Sequence, residues 1–311
     1  MADDLAAGTT AVSYQSEYVS PSVPALLSLL GSLGFVGNVC MVHAIAAHRK
    51  MRTVPNLLIL NIAVACQVYL LLPVPFYVGR LFNSLWDVPN GLCKFEAYLA
   101  AVAGYVSVFA LTVLSWDRHE VLSLPKEARH KETSYAMASS QAMAMWLGAA
   151  VLALPSLVFG KVDFIAGVCR FSTKPDETSI KQGFEILRFL IGYAFPLIIM
   201  ASYYLKIAVN VYCGTDAKRF PDPSDATVSL VRDRERLTVT ALIVSVFFTV
   251  CWLPYFSYFM LLAYFAQWSQ ALRDAALIMP IVNMCLTSWL VFAVSSRHRE
   301  CLCSGWRSSK D

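Results

Sequence analysis

The chain has 311 residues, of which 57% are hydrophobic and only 15% are charged. A soluble domain usually carries about a quarter charged residues. The composition therefore favours a lipid environment and excludes a typical soluble enzyme or a disordered chain. A formal net charge of +4 does not suggest a nucleic-acid partner, and nine cysteines are too few for a disulfide scaffold.

Seven apolar stretches follow one another, each close to the length of about 20 residues that crosses a bilayer. Because open strands cannot sit in hydrocarbon, we predict that all seven are helices. The stretches are Val23–Ala47, Leu57–Val78, Cys93–Leu114, Ala138–Phe159, Phe184–Val211, Leu237–Phe265 and Leu272–Ser295. The predicted fold class is an all-α membrane protein with a seven-transmembrane helix bundle.

Basic residues predict the orientation of the bundle. The first 22 residues contain no Lys or Arg. Alternate connections and the tail instead collect them: Arg49, Lys50, Arg52; Lys126, Arg129, Lys131; Lys218, Arg219, Arg232, Arg234, Arg236; Arg297, Arg299, Arg307, Lys310. Since cytoplasmic loops are enriched in Lys and Arg, we expect the N-terminus outside and the C-terminus in the cytoplasm in a multi-pass membrane protein.

This topology divides the chain into three regions. Residues 1–22 form an extracellular tail, residues 23–295 form the seven-transmembrane domain, and residues 296–311 form a cytoplasmic segment. We expect the connections between the spans to be short.

Charged side chains are scarce inside the spans. The middles of the second, fourth, sixth and seventh spans carry no Asp, Glu, Lys or Arg. A coupled transporter usually needs buried carboxylates or broken helices, so transport is disfavoured, although it stays open as an alternative. The sequence contains no HExxH or GxSxG motif and no paired intramembrane aspartates, so we expect no enzymatic turnover, cofactor or metal.

One acid and one base stand together at the end of the third span, Asp117 and Arg118. An adjacent acid and base can pair, which limits the cost of burying each charge. The alternative is two interfacial residues, each solvated by the cytoplasm. The residues alone leave both interpretations open.

Further motifs stand in order along the chain. They are Gly37-Asn38-Val39, Leu60–Ala65, Trp146, Pro196 with Tyr204, Cys251-Trp252-Leu253-Pro254 and Ser295–Arg299. Together with seven spans and Asp117-Arg118, this series resembles the rhodopsin-like class of G protein-coupled receptors. The resemblance implies that a short amphipathic eighth helix follows the seventh span. It also implies that Asp117, Arg118 and His119 face a heterotrimeric G protein.

A finer resemblance concerns the ligand. Met51–Asn56, Cys93-Lys94 and Val106–Thr112 resemble peptide receptors of the bombesin group. Ala100 stands where amine receptors carry an aspartate, which argues against an amine ligand. Bombesin-type receptors carry a glutamine there, so the resemblance implies a peptide ligand without specifying bombesin.

The same resemblance implies two cysteine modifications. Cys93 and Cys169 would form a disulfide on the extracellular face, where the oxidising environment allows one. Cys301 and Cys303 follow the basic start of the eighth helix, where reversible palmitoylation is plausible. Unmodified thiols are the alternative for the second pair.

Aromatic residues of the sixth span give a candidate ligand pocket. Trp252, Tyr255, Phe256 and Phe259 fall on one helical face, and Pro254 between them permits a bend. Such a stripe is usually core packing, but in the receptor class this region links ligand to helix movement. The predicted pocket also contains Phe76, Ala100, Glu185, Arg188 and Arg273. The three charged residues among them could meet charges of a peptide, or could instead be a solvated rim.

On the cytoplasmic side, the resemblance pairs Tyr204 of the fifth span with Arg118 in a rearrangement that accompanies G protein docking. Arg232, Arg234 and Arg236 could contact a partner or anionic lipid, although their role in setting the topology explains them equally well.

Several positions depart from the class. Cys66 replaces the second-span aspartate, so we expect sodium regulation to be weak or absent, since hard cations prefer oxygen ligands. Thr287–Val291 replaces the Asn-Pro-x-x-Tyr motif of the seventh span, and Lys126 stands where a hydrophobic residue normally contacts the G protein. Two readings therefore compete: a signalling receptor with a rearranged switch, or a decoy or constitutively active receptor with weak G protein signalling.

Overall fold

A computed structural model describes residues 22–82, 89–123, 135–163, 168–171, 178–212, 225–265 and 269–308. Within these ranges, seven helical spans are long and apolar enough to cross a membrane. The helices are α1 (Ser22–Ala47), α2 (Val54–Leu71), α3 (Pro73–Phe82), α4 (Asn90–Ser123), α5 (Tyr135–Phe159), α6 (Thr178–Phe189), α7 (Phe195–Tyr212), α8 (Asp225–Tyr264), α9 (Gln270–Val294) and α10 (Ser296–Ser308). The predicted seven-helix bundle is confirmed. Residues 1–21 of the predicted tail, Pro125 and Lys126 lie outside the described residues.

Prolines interrupt two of the spans. The second span is divided into α2 and α3 at Leu72, which precedes Pro73. A proline ring disfavours helical geometry in the residue before it, which explains the division. In the fifth span, a π-turn (Leu190–Ala194) joins α6 to α7, and the Phe195 N–H donates to the Leu190 carbonyl. Pro196 lacks an N–H to continue the ordinary ladder at this point, which favours the wider turn.

A two-stranded hairpin caps one end of the bundle, and the sequence did not predict it. Strand β1 (Gly160–Asp163) pairs antiparallel with β2 (Val168–Phe171), with Val162 opposite Cys169. Both strands contact α4 near the end that carries Cys93. We call this the hairpin end of the bundle, and the opposite end the α10 end.

The α10 end carries the eighth helix, which is confirmed as a short helix. Ser295 breaks α9 from α10, and Arg299 returns to donate to the carbonyls of Phe292 and Ala293 at 2.7 and 2.6 Å. The helix α10 packs against both α1 and α9. The helix of the sixth span, α8, begins at Asp225, whereas the predicted span begins at Leu237.

The core runs along α4, which contacts α2, α5, α7 and α8. Its residues Val102, Ala103, Val106, Val108 and Leu111 are buried. A hydrogen bond from Trp146 Nε1 to Asn61 Oδ1, at 3.0 Å, fixes α5 to α2. The third span therefore forms the centre around which the other spans are arranged.

Candidate ligand-binding site and switch region

A cavity of about 150 Å³ enters the bundle from the hairpin end. Spans two, three, five, six and seven all contribute to its wall. Most of the wall residues on α4 are small: Ala97, Ala100, Ala101 and Gly104. These small side chains leave room between α4 and the aromatic face of α8.

The structure brings most of the predicted pocket residues to this cavity. Those that line it are Ala100, Glu185, Arg188, Tyr255, Phe256 and Phe259. Trp252, predicted as a residue that links ligand to helix movement, lines it as well. Phe76 does not line it, because its neighbours Val74 and Tyr77 face the cavity instead. Arg273 also lies outside the lining, and its Nε is 3.3 Å from Asp274 Oδ1.

Sequence reasoning missed several polar or aromatic wall residues, among them Tyr69, Tyr77, Glu96 and Tyr105. Glu96 lies one helical turn before Ala100, so the two residues share a face of α4. This spacing could have identified Glu96 once Ala100 was placed in the pocket. Tyr69 and Tyr77 flank the Pro73 break, and their orientation depends on it.

An ion pair stands in the cavity wall on α6. Arg188 donates through Nε to Glu185 Oε2 at 2.8 Å, and its Nη2 contacts the same oxygen. Its Nη1 donates to the Tyr255 hydroxyl at 2.5 Å. The side chain of Glu185 is 4% exposed and that of Arg188 is 12% exposed. Burial excludes water from both, so each charge depends on the other for compensation.

The guanidinium of Arg188 also lies against aromatic rings of α8. Its central carbon is 4.9 Å from the Tyr255 centroid, 5.9 Å from Phe256 and 4.5 Å from Phe259. The negative faces of such rings attract a cation, most strongly where water is excluded. Arg188 therefore connects the fifth span to the sixth through both a hydrogen bond and ring contacts.

Trp252 forms the floor of the cavity. Its ring centroid is 5.3 Å from Tyr255 and 5.4 Å from Phe248, and its Nε1 donates to Asn283 Oδ1 at 3.3 Å. A Cβ on Gly104 would lie 3.0 Å from Trp252 Cη2, so only glycine lets the indole rest this closely on α4. Pro254, two residues further along α8, cannot donate to the Val250 carbonyl, which weakens the helix beside this ring.

The hairpin end contains a disulfide at Cys93. The predicted partner, Cys169, lies in β2, which contacts α4. The side chain of Cys169 is outside the described part of the chain, so the Cys93–Cys169 pairing stays a prediction.

At the α10 end, Arg118 is 3% exposed and donates to Asp117 Oδ2 through Nε at 3.0 Å and through Nη2. The structure thus has the paired arrangement rather than two solvated residues. His119 turns away from this pair and packs on Tyr203, with a centroid distance of 5.3 Å.

Tyr204 does not hydrogen-bond to Arg118 in this structure. Its hydroxyl lies 3.3 Å from Ser245 Oγ on α8, and Ser245 Oγ donates to the Ala241 carbonyl at 2.8 Å. Because the serine proton is used within its own helix, Tyr204 is the donor across the α7–α8 contact. Sequence reasoning did not identify Ser245, and a polar residue within the apolar run of α8 was the available signal.

Comparisons with known proteins decide the family. The chain matches the description "7 transmembrane receptor (rhodopsin family)" over residues 37–292. The chain belongs to this family. Squid rhodopsin has the same fold, with a TM-score of 0.79 and 19% identity over 93% of this chain and 85% of the squid protein.

Similar receptors include several that are named for peptides. The receptor is 28% identical to the neuropeptide CCHamide-1 receptor of Drosophila melanogaster over 89% of this chain and 58% of that protein. It is 31% identical to somatostatin receptor type 5 of Bos taurus over 75% and 61%, respectively. It is 29% identical to the [Phe13]-bombesin receptor of Bombina orientalis over 77% and 64%. The chain therefore spans about three fifths of the length of these relatives.

The seventh span of the receptor, α9, is hydrogen-bonded to the first span, α1. Asn38 Nδ2 donates to the Met284 carbonyl at 3.1 Å, and Ser288 Oγ donates to Asn38 Oδ1 at 2.6 Å. Trp289 Nε1 donates to the Leu33 carbonyl at 3.0 Å, and its indole lies where a Cβ on Gly37 would meet it at 2.6 Å. The altered segment 287–291 thus forms an unbroken helix held against α1.

Sulfur replaces oxygen near the predicted sodium position. Cys66 is 1% exposed, and its Sγ lies 3.4 Å from Met284 Sδ. Ser107 donates to the Ala103 carbonyl of its own helix at 2.8 Å. Among the residues that the structure describes, no three His, Cys, Asp or Glu side chains form a metal-binding group.

On α10, Cys301 is a half-buried free thiol. Burial raises the pKa of this thiol, while Arg297 lowers it and Glu300 raises it further. The side chain of Cys303 is not among those described, so palmitoylation of either residue stays a prediction.

Proposed function

We propose that this receptor binds an extracellular peptide in the cavity at the hairpin end and transmits binding to a heterotrimeric G protein at the α10 end. The relatives named for CCHamide-1, somatostatin and bombesin support a peptide. One observation carries the transmission: an unbroken series of contacts joins Arg188 on the wall, through Tyr255, to Trp252 on the floor.

A ligand could act through this series in a simple way. Tyr255, Phe256 and Phe259 all belong to α8, and each of their rings faces Arg188 of the fifth span. A peptide that binds against Arg188 and these rings together changes the relative position of the two spans. The proline at 254 lets the part of α8 beyond it respond, because one backbone hydrogen bond is already missing there.

At the α10 end, the proposed response is separation of α8 from α7. Tyr204 leaves Ser245, and its hydroxyl becomes available to Arg118, which leaves Asp117 when the G protein docks. Ligand binding then shifts a two-state equilibrium between a closed and an open inner face. Because Cys66 offers no carboxylate, sodium has little influence on this equilibrium.

The proposal includes the orientation predicted from the basic residues. The hairpin end is extracellular, the α10 end is cytoplasmic, and the receptor lies in the plasma membrane. Arg236 on α8 contacts anionic lipid or the partner, and α10 lies along the membrane surface with acylated cysteines.

A second candidate function is peptide binding with weak or constitutive signalling. The observation in its favour is that Trp289 and Ser288 of the seventh span, α9, hydrogen-bond to α1 and hold the two helices together. The fifth and sixth spans are free of that constraint, so we favour the signalling receptor.

The test is a peptide-library screen in cells that express the receptor, with G protein dissociation and surface binding measured in parallel. A signalling receptor gives both signals, and both are lost in the charge-balanced double variant Arg188→Met/Glu185→Gln but kept in the control Arg273→Met. Surface binding without dissociation would leave only the second candidate. Accumulation of a substrate in receptor vesicles, without either signal, would favour a transporter instead.

A further inference from the structure

The Glu185–Arg188 pair keeps unused hydrogen-bonding capacity at the cavity wall. Arg188 uses Nε and Nη2 on a single oxygen, Glu185 Oε2, and uses Nη1 on the Tyr255 hydroxyl. A guanidinium has five N–H donors, so two of them are left for another acceptor. Glu185 Oε1 accepts no hydrogen bond from any residue in the described part of the chain.

The pair is electrically neutral, and this restricts the ligand group that suits it. A ligand carboxylate would be a second anion beside Glu185, and a ligand ammonium would be a second cation beside Arg188. Either would leave an uncompensated charge against a largely apolar wall, which is costly. Glu96, the other acid of the lining, takes part in an interaction of its own and is not a free counter-charge.

The pair also resists displacement by a ligand. Three rings of α8 and the Tyr255 hydroxyl hold Arg188, so the guanidinium keeps its place when a ligand enters. Glu185 in turn lines the cavity and is bound to Arg188 through Oε2, which leaves its second oxygen without a bond among the described residues. A ligand therefore gains more by adding to the pair than by replacing one member of it.

We propose that this pair recognises a carboxamide of the ligand. The amide oxygen accepts from a free N–H of Arg188, and the amide nitrogen donates to Glu185 Oε1. Two sources share this chemistry: an amidated peptide end, and the side chain of Asn or Gln. The inference rests on the proposed peptide-binding function and replaces the expectation that Glu185 and Arg188 meet peptide charges.

The test titrates purified receptor in nanodiscs with three pools of N-acetylated hexapeptides built from Phe, Trp, Leu, Ala and Gly. The first pool ends in a carboxamide, the second in a carboxylate, and the third in a carboxylate with one internal Gln. We expect the first or the third pool to bind at least about tenfold more tightly than the second, the cost of one unsatisfied buried group. The stronger of the two identifies the source of the amide.

A charge-altering variant sharpens the test. Glu185→Gln leaves Arg188 as an uncompensated cation, so the preference should reverse toward the carboxylate pool by at least about tenfold. Arg273→Gln, outside the cavity lining, should keep the wild-type order. Equal or tighter binding of the carboxylate pool to wild type overturns the inference, and so does an unchanged order in Glu185→Gln. If Glu185→Gln does not fold, the test is decided by the ratio of the wild-type affinities for the amide-bearing pools and the carboxylate pool.

These readings separate the inference from the proposed function. The pools are measured by binding, without a G protein, so a carboxamide preference can hold in a receptor that does not signal. Conversely, a carboxylate pool that binds and drives G protein dissociation would support the proposed function while overturning the carboxamide.

Discussion

The contact between α1 and α9 differs sharply from the contact between α7 and α8. The first is extensive and includes glycines that bring the helices to backbone distance, with hydrogen bonds through Asn38, Ser288 and Trp289. The second is slight, and the described side chains cross it with one hydrogen bond, from Tyr204 to Ser245. A packed interface resists sliding, whereas a contact held by one hydroxyl separates at little cost.

The difference indicates which part of the receptor moves. An activation that broke the α1–α9 contact would lose several bonds and a close packing together. One that opened the α7–α8 contact would lose a single bond between neutral hydroxyls. We therefore expect α1 and α9 to act as one body, with α8 moving against α7. The following variants test that contrast.

The largest effect is expected where the fifth and sixth spans meet at the cavity. Arg188→Met leaves Glu185 as an unpaired buried anion and should lower the free energy of unfolding by about 3–5 kcal/mol. Adding Glu185→Gln removes the stranded charge, so the double variant should recover most of that loss. Thermal denaturation of the purified receptor measures both. If the double variant is no more stable than Arg188→Met, the pair does not act through charge compensation.

Adding a methyl group at Gly34 tests how tightly α1 packs against α9. A Cβ on Gly34 would lie 2.6 Å from Cys285 Cα, a backbone atom that cannot move aside. Gly34→Ala should therefore destabilise the receptor by about 1–3 kcal/mol, the usual cost of overpacking. Gly148→Ala is the matched control, because its Cβ would meet nothing within 4 Å.

That control should be neutral or slightly stabilising, since alanine favours a helix over glycine by up to about 1 kcal/mol. Equal melting temperatures for Gly34→Ala and wild type would mean that α1 and α9 are not fixed at this point.

The fixed side of the bundle continues to α10, where pH provides the test. His298 is fully buried, with Nδ1 2.7 Å from Ser295 Oγ, and its Nε2 has no partner among the described residues. Burial, with Arg297 adding to it, lowers the pKa of His298 to about 4. The unfolded chain, with an ordinary histidine pKa of about 6.5, binds the proton more readily between these values.

Stability from this residue is therefore present above about pH 6.5 and is lost as the pH falls toward about 4, by roughly 1–3 kcal/mol in total. Unfolding measured between these limits should show a steeper decline in wild type than in His298→Leu. Parallel declines in the two proteins would contradict a neutral, buried His298.

Sequence patterns predicted these features unequally. Span length and composition were enough for the seven helices, and the spacing of Trp252, Tyr255, Phe256 and Phe259 was enough for one wall of the cavity. The orientation of Phe76 was not predictable, because it depends on how Pro73 divides the second span. Pairing of β1 with β2 accompanies the contact of both strands with α4, which no local pattern in the sequence records.

Contacts between distant segments were the least accessible. Leu33 and Trp289 approach each other only because Gly37 leaves space between their helices, and neither residue alone indicates a partner. Ser245 is similar: a serine in an apolar helix normally returns its hydroxyl to its own backbone, as this one does. The Tyr204 hydroxyl reaches Ser245 Oγ only because α7 lies beside α8.

The smallest energetic effect and the most specific functional one are expected at that serine. Ser245→Ala removes the acceptor of the Tyr204 hydroxyl, worth about 0.5–1.5 kcal/mol, so the open form should become up to about tenfold more populated. Basal G protein dissociation should rise accordingly, with a melting temperature close to wild type. Ser202→Ala is the control. Ser202 is exposed on α7, the helix of Tyr204, and its hydroxyl donates to the Ile199 carbonyl of its own helix. Equal basal signals from the two alanine variants would contradict the assignment of the α7–α8 contact as the moving one.

Tyr204→Phe breaks the same bond but also removes the hydroxyl proposed to reach Arg118. It should therefore lack the gain seen in Ser245→Ala, which separates release of a restraint from supply of an active-state contact.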